Sequence, residues 1–329
     1  KKQSTIGVSL FMQISEIFKL NVDQKGLEFI DIDTERDVEL FIDPCWVHIL
    51  DGKWFKEASA TIFSFFDHII DLYENGQKDE AKKLFNSAHE PNETCLGMSK
   101  GYPDGTGASS DMLATVFDII TNEHMIEKGL IQRIEDLPVF IKKFDKDRLS
   151  DLVTNLIRKH LVEFTKEQCE LHGIPLTPGQ TIGSYWNKDL KRWDVVNGEA
   201  LVIDGKIKLL VPKLIVVKQY RNSADHYCRR YVLIKRKEEH LKEGSNLVRK
   251  RTYKNGKTKD VIKLDDIDKQ ERRDLGKTQK EYVREVTESD PAIMERFRNG
   301  LRNTLLSSNT TNRLTDEQIM EELEKIKTR

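Results

Sequence analysis

Apolar residues recur most regularly at helical spacing between Phe144 and Leu161, where Leu149, Leu152, Val153, Leu156, Ile157, His160 and Leu161 repeat three and four positions apart. Asp147, Asp151 and Asn155 recur every fourth position on a second face of the same predicted helix. The helix therefore carries a stripe of two carboxylates and an amide. Such a stripe could hold a cation or order water, or it could line a solvated face, with Asp145 or Asp147 as a cap. The pattern runs on through Phe164 to Leu171 and stops at Gly173, a residue type that suits a C-terminal cap.

Other patterns frame this helix. Residues 5 to 20 fit either a helix or a strand. Leu27 and Phe29, then Ile30 and Ile32, then Val38, Leu40 and Ile42 nearly alternate, which predicts two strands joined by a turn at Asp33 to Arg36. Asp43-Pro44 predicts a helix start, a structural rival to grouping Asp33, Asp37 and Asp43 as an acidic metal cluster. Residues 57 to 86 predict a helical hairpin broken near Asn75-Gly76, and Met112 to Asn122 a further helix. From Gly179 short strands take over, with Asp204-Gly205 as a turn and Asn255-Gly256 as a type I′ hairpin turn. Helices follow at Ser289-Asp290-Pro291 and Thr315-Asp316-Glu317, and the last is expected to dock on a partner or on the body. The resulting expectation is an α+β fold. It has a mainly helical body with a short β-hairpin over 1–175, a basic strand-rich module over 176–263 and a charged helical tail over 264–329.

Charge changes this picture more than length does. The net charge of the 329 residues is −1, yet Gly205 to Lys263 holds 18 Lys and Arg against 5 Asp and Glu, a local +13 that leaves −14 for the remainder. A basic segment on an acidic body can track phosphates, so nucleic acid is the expected partner. The candidate contacts are Arg229 and Arg230, which stand among Tyr220, Tyr227 and Tyr231, and the hairpin residues Arg249, Lys250, Arg251, Lys254, Lys257 and Lys259. Tyrosines among arginines suit base stacking, but the same spacing can bury the rings. Lysines on an exposed ribbon also protect its edges from aggregation. No apolar run approaches the ~20 residues of a membrane span, and no signal-peptide pattern opens the chain, so no membrane partner is expected. Cys45, Cys95, Cys169 and Cys228 are scattered, which suits a reducing, cytoplasmic setting.

Candidate chemistry lies in three further places. The loop after Glu90 contains Gly97, Ser99, Lys100, Gly101, Gly105 and Gly107. These residues could cradle an anion, or the loop could be an ordered connection capped by Ser109 or Ser110. Gly97 to Gly101 also satisfies G-x-S-x-G but lacks the strand and helix that a nucleophile elbow needs. Asp194, Asp204 and Lys206 imitate two acids and a lysine around Mg²⁺ in phosphodiester hydrolysis, with the hairpin turn at Asp204-Gly205 as the rival reading. Cys45 with His48 and Cys169 with His172 form two C-x-x-H pairs that together would match a zinc set.

Four segments carry a resemblance: LFIDP at Leu40 to Pro44, the G-x-S-K-G loop at Gly97 to Gly101, DRLSDLVTN at Asp147 to Asn155, and LLVPK at Leu209 to Lys213. Together they resemble a family of poorly characterised bacterial proteins associated with mobile genetic islands and anti-phage defence. The likeness covers about residues 28 to 218. It implies a prokaryotic cytosolic protein and favours nucleic acid as partner, but supplies no catalytic residue. The resulting expectation is a nucleic-acid-binding component of a defence or mobile-element system. Phosphodiester cleavage would use Mg²⁺ at Asp147 and Asp151 beside Asn155, with Asp194, Asp204 and Lys206 as the second choice. The alternatives are a non-catalytic scaffold for a partner enzyme and a nucleotide-signal receptor.

Overall fold

The computed structural model describes residues 12–87, 90–98, 109–307 and 313–327. After α1 (Ile14–Phe18), the near-alternating run does not fold back on itself. Leu27, Phe29, Ile30, Ile32, Val38, Leu40, Phe41 and Ile42 are all buried, so the segment has no wet face of the kind a two-stranded hairpin presents. It pairs instead with distant chain: Gln13 with Asp33, Phe29 with Pro212 and Val38 with Leu96 as single bridges. Strand β1 (Phe41–Ile42) runs antiparallel to Val216–Val217, which is β5 below. The hairpin expected here is thus replaced by a buried run threaded through the core.

The helical expectations fared better. Asp43 accepts a hydrogen bond from the Cys45 N–H at 2.9 Å and Pro44 opens α2 (Pro44–Ile49), so Asp43 is a cap. Next come α3 (Lys53–Glu74) and α4 (Lys78–Phe85), broken at Asn75-Gly76, then α5 (Ser110–Asn122) and the short α6 (Leu137–Phe140). The organising helix is split. Ile157 leaves helical geometry at φ −92° and ψ 12°, giving α7 (Lys146–Leu156) and α8 (Arg158–His172), the latter closed by Gly173 at φ 66°.

Strands β2 (Thr177–Asn187), β3 (Arg192–Ile203) and β4 (Lys206–Lys208) form an antiparallel sheet, followed by β5 (Val216–Val217). The sheet lies on α3, α7 and α8 through Ile182, Trp186, Ala200 and Leu201. Trp186 meets Phe65 edge to face, 5.1 Å between centroids, a favoured geometry for aromatic pairs.

The basic segment continues through α9 (Ala224–Tyr227), a π-helical stretch and α10 (Leu233–Glu243) into the ribbon β6 (Arg249–Thr252) and β7 (Thr258–Val261). Then come α11 (Leu264–Asp268), α12 (Gln279–Ser289), α13 (Ala292–Leu306) and α14 (Asp316–Lys327). The tyrosines expected to offer stacking surfaces among the arginines belong to the core. Tyr220 and Tyr227 are buried, the Tyr227 hydroxyl is 2.8 Å from Thr287 Oγ1, and Phe297 packs on Tyr227 and Tyr231. Helix α14 docks on the body of its own chain. Ile319, Leu323 and Ile326 are buried, and Lys25, Lys213 and Lys218 pair with Glu317, Asp316 and Glu322. The fold is α+β, and its buried apolar side chains form one cluster from Ile14 to Ile326. Among the described residues no helix is long and apolar enough to cross a membrane.

Candidate functional site

The polar stripe of α7 is half-buried at Asp147 and buried at Asp151 and Asn155. All residues from Leu149 to Leu156 are buried, because α7 is enclosed between β1, β2, α3 and α8. The Ile42 N–H even donates to Ser150 Oγ at 2.9 Å. Asp151 is 6% exposed and its carboxylate makes no hydrogen bond among the described residues. Burial pushes its pKa up to about 8, with the negative charges of Asp147, Glu90 and Asp37 adding to the rise.

Asp147 also titrates above the ordinary carboxylate range because of burial, although it accepts the Met98 N–H. Gly97 threads between two acids. A Cβ built there would lie 3.7 Å from both Asp37 Oδ2 and Asp147 Oδ1, and its φ of 146° is one that side chains rarely adopt. Asp37, Glu90 and Asp147 thus lie near enough to Asp151, at the end of the glycine loop, to raise its pKa, and Arg148 near enough to oppose them. A buried carboxyl near 8 can hold a proton at neutral pH and release it to a base or to an arriving cation.

Asn155 has a structural role. Its Oδ1 accepts from Arg158 Nη2 at 2.7 Å and its Nδ2 donates to the Asp151 carbonyl at 2.9 Å. Arg158, itself buried, also pairs with Glu93 at 2.8 Å and donates to the Ser184 carbonyl, tying α8 to the 90–98 segment and to β2.

The other sequence candidates separate. Asp194 and Asp204 lie at the two ends of β3, ten residues apart, which at about 3.3 Å per residue is on the order of 30 Å. Asp204 and Gly205 both have positive φ, 50° and 74°, as a two-residue hairpin turn requires, and Lys206 pairs with Glu35 at 3.0 Å. The two acids and lysine therefore do not assemble. Ser99, Lys100, Gly101, Gly105 and Gly107 lie outside the described residues. Gly97 is described, and its N–H is already committed to the Val38 carbonyl at 3.0 Å. Ser109 caps α5 by accepting the Met112 N–H at 3.3 Å. His48 is held by Ser59 and Glu135, and among the described residues no group of three or more His, Cys, Asp or Glu could hold a metal ion.

The ribbon is the opposite of α7. Every residue from Arg249 to Asp260 is exposed. Its turn is a three-residue loop rather than the expected type I′ turn. The Gly256 N–H reaches the Tyr253 carbonyl, the Tyr253 N–H reaches the Lys257 carbonyl, and only Gly256 takes a left-handed φ, 76°. Arg249 pairs with Asp266 at the root, whereas Lys250, Lys254, Lys257 and Lys259 make no ion pair among the described residues. Elsewhere six of the block's twelve cations pair with carboxylates of the chain. Arg229 pairs with Asp225, Lys235 with Asp290, and Arg236 with Glu271. Arg230 is exposed and lines a cleft of about 660 Å³ with Lys218, Arg221 and Arg313.

A family model described as a domain of unknown function, DUF8370, matches residues 19–223. The chain belongs to the DUF8370 family. No curated protein and no solved structure matches it. The DUF8370 span contains α7, Arg158, the 90–98 segment and the three-stranded sheet, and it stops at Ser223, just before α9. The ribbon lies beyond it. Within the DUF8370 part, sequence reasoning had grouped Asp37 with Asp33 and Asp43. Asp43 caps α2, Asp33 accepts the Glu35 N–H, and Asp37 turns towards Gly97. Glu90, Glu93 and Arg158 were not singled out. One signal was present for Arg158: it follows Asp151 by seven positions and Asn155 by three, which is one helical face.

Proposed function

We propose that this protein binds nucleic acid through the β6–β7 ribbon. One observation carries the reading. Lys206, Lys213, Lys218, Arg229, Lys235 and Arg236 of the basic block pair with carboxylates of the chain, whereas Lys250, Lys254, Lys257 and Lys259 of the two-stranded arm are exposed and make no ion pair among the described residues. Unpaired cations on a two-stranded arm suit a polyanion, since binding releases counterions from the phosphates. The test is fluorescence anisotropy with labelled double-stranded DNA, single-stranded DNA and RNA across a salt series. Affinity should weaken steeply with salt, and charge reversal of Lys254, Lys257 and Lys259 should abolish binding without changing thermal stability. Failure to bind all three ligands would overturn the reading and favour a scaffold that docks a protein partner.

A second reading concerns chemistry at α7. The closeness of Asp147 and Asp151, one turn apart on α7, supports Mg²⁺-assisted phosphodiester cleavage with these two as the metal-side carboxylates. Mg²⁺ is commonly held by one or two carboxylates plus substrate phosphate and water, so no closed protein cage is required. Mg²⁺-dependent cutting that is lost in Asp151→Ala would support it, and cutting unaffected by that substitution would sink it. The setting we propose, a bacterial defence or mobile-element system, rests on the resemblance of the four segments named above.

A further inference from the structure

The ribbon's register sorts its side chains onto two unlike faces. Residues opposite one another across the strands share a face, and successive residues alternate. Arg249 faces Val261 and Arg251 faces Lys259, and the Tyr253–Lys257 hydrogen bond continues the same series to the tip. The other face holds Lys250 opposite Asp260 and Thr252 opposite Thr258, the two threonine hydroxyls 3.3 Å apart. One face is therefore strongly cationic and the other nearly neutral. Tyr253, 42% exposed, sits on the cationic face with the Arg251 guanidinium 5.4 Å from its ring centre. Among the described residues it is the one Phe, Tyr or Trp that is exposed to this degree.

An apolar ring left in water beside phosphate-binding cations has a clear physical use. Duplex backbones need only the charge, because their bases are stacked on one another. A single strand offers unstacked bases, and an aromatic ring beside cations provides both stacking and phosphate attraction. Resting on the ribbon reading above, we infer that the Arg251–Tyr253–Lys259 face binds single-stranded nucleic acid, with Tyr253 stacking on a base.

The test uses the full chain with an unstructured deoxythymidine oligomer, a uridine oligomer of equal length and a DNA duplex. Tyr253→Ala should weaken single-strand binding by about five- to a hundredfold, while Tyr253→Phe stays near the parent, because stacking needs the ring and not the hydroxyl. Tyr253→Trp supplies a further readout, since the fluorescence it adds to that of the parent's four tryptophans should be quenched by the single strands. The thymidine and uridine arms distinguish DNA from RNA. Duplex bound as tightly as single strands, with Tyr253→Ala neutral on all ligands, would overturn the inference while leaving the ribbon reading intact. Absence of binding to every ligand would overturn both.

Discussion

Replacing Asp151 by Asn removes one buried titrating group and leaves its shape. The folded carboxyl titrates at about 8, against ~3.9 for the unfolded chain. Between those values the folded state keeps a proton that the unfolded state has released. The unfolded state thus binds fewer protons, and stability falls as pH rises from about 4 to about 8. At pH 7 the difference spans ~3 pH units at ~1.4 kcal/mol each, or roughly 4 kcal/mol. Asn does not titrate, so Asp151→Asn should be more stable than the parent at pH 7, by up to roughly that amount, and should lack this part of the pH dependence. Urea unfolding of both proteins at pH 5, 7 and 8 measures the gap. It should widen from pH 5 to pH 8. Parallel curves, or a variant less stable than the parent at pH 8, would show that Asp151 is ionised and held by a partner, and would refute the reasoning. If the second reading of α7 holds, Mg²⁺ should raise the parent's midpoint at pH 8 and leave the variant's unchanged.

Other substitutions probe the frame around the site. Arg158→Ala leaves Glu93 and Asn155 without their shared cation, and chemical denaturation should show a loss of roughly 3–5 kcal/mol. Leu323→Ala should cost about 2–4 kcal/mol if α14 is part of the folded body, whereas an undocked helix would lose almost nothing. Although burial pushes the Glu271 carboxyl up, hydrogen bonds from Arg236, Tyr282 and His240 hold it down at about 2. Its contribution to stability should be present above ~4.3, the ordinary Glu value, and be lost as pH falls towards 2. Acid titration of Glu271→Gln followed by circular dichroism should lack that loss.

How much was legible follows from which signals are local. The cap at Asp43-Pro44, the break at Asn75-Gly76, the stop at Gly173 and the turn at Asp204-Gly205 depend on a few neighbouring residues, and each appears where the pattern placed it. The run from Leu27 to Ile42 misled because alternation shows burial but not the partner. Its partners, Cys95 to Gly97 and Val211 to Val217, lie far along the chain. The α7 stripe was legible as a stripe, but its burial depends on β1, β2 and α8 closing over it. The same holds for the tyrosines, whose fate was decided by Phe297 and Thr287 in a helical tail whose packing no local spacing specifies. The ribbon was readable because its hairpin and its charges are both local. The division of those charges between two faces required the register.

The most direct test of the account is the salt dependence of single-strand binding by the parent chain and by a Lys257→Ala, Lys259→Ala variant. Each phosphate contact contributes about 0.7 to the slope of log affinity against log salt for single strands. The account predicts a steep parental slope and a variant slope shallower by about 1.4, with weaker binding at low salt. Equal slopes and equal affinities for the two proteins would place the working surface elsewhere and contradict the ribbon as the nucleic-acid-binding arm.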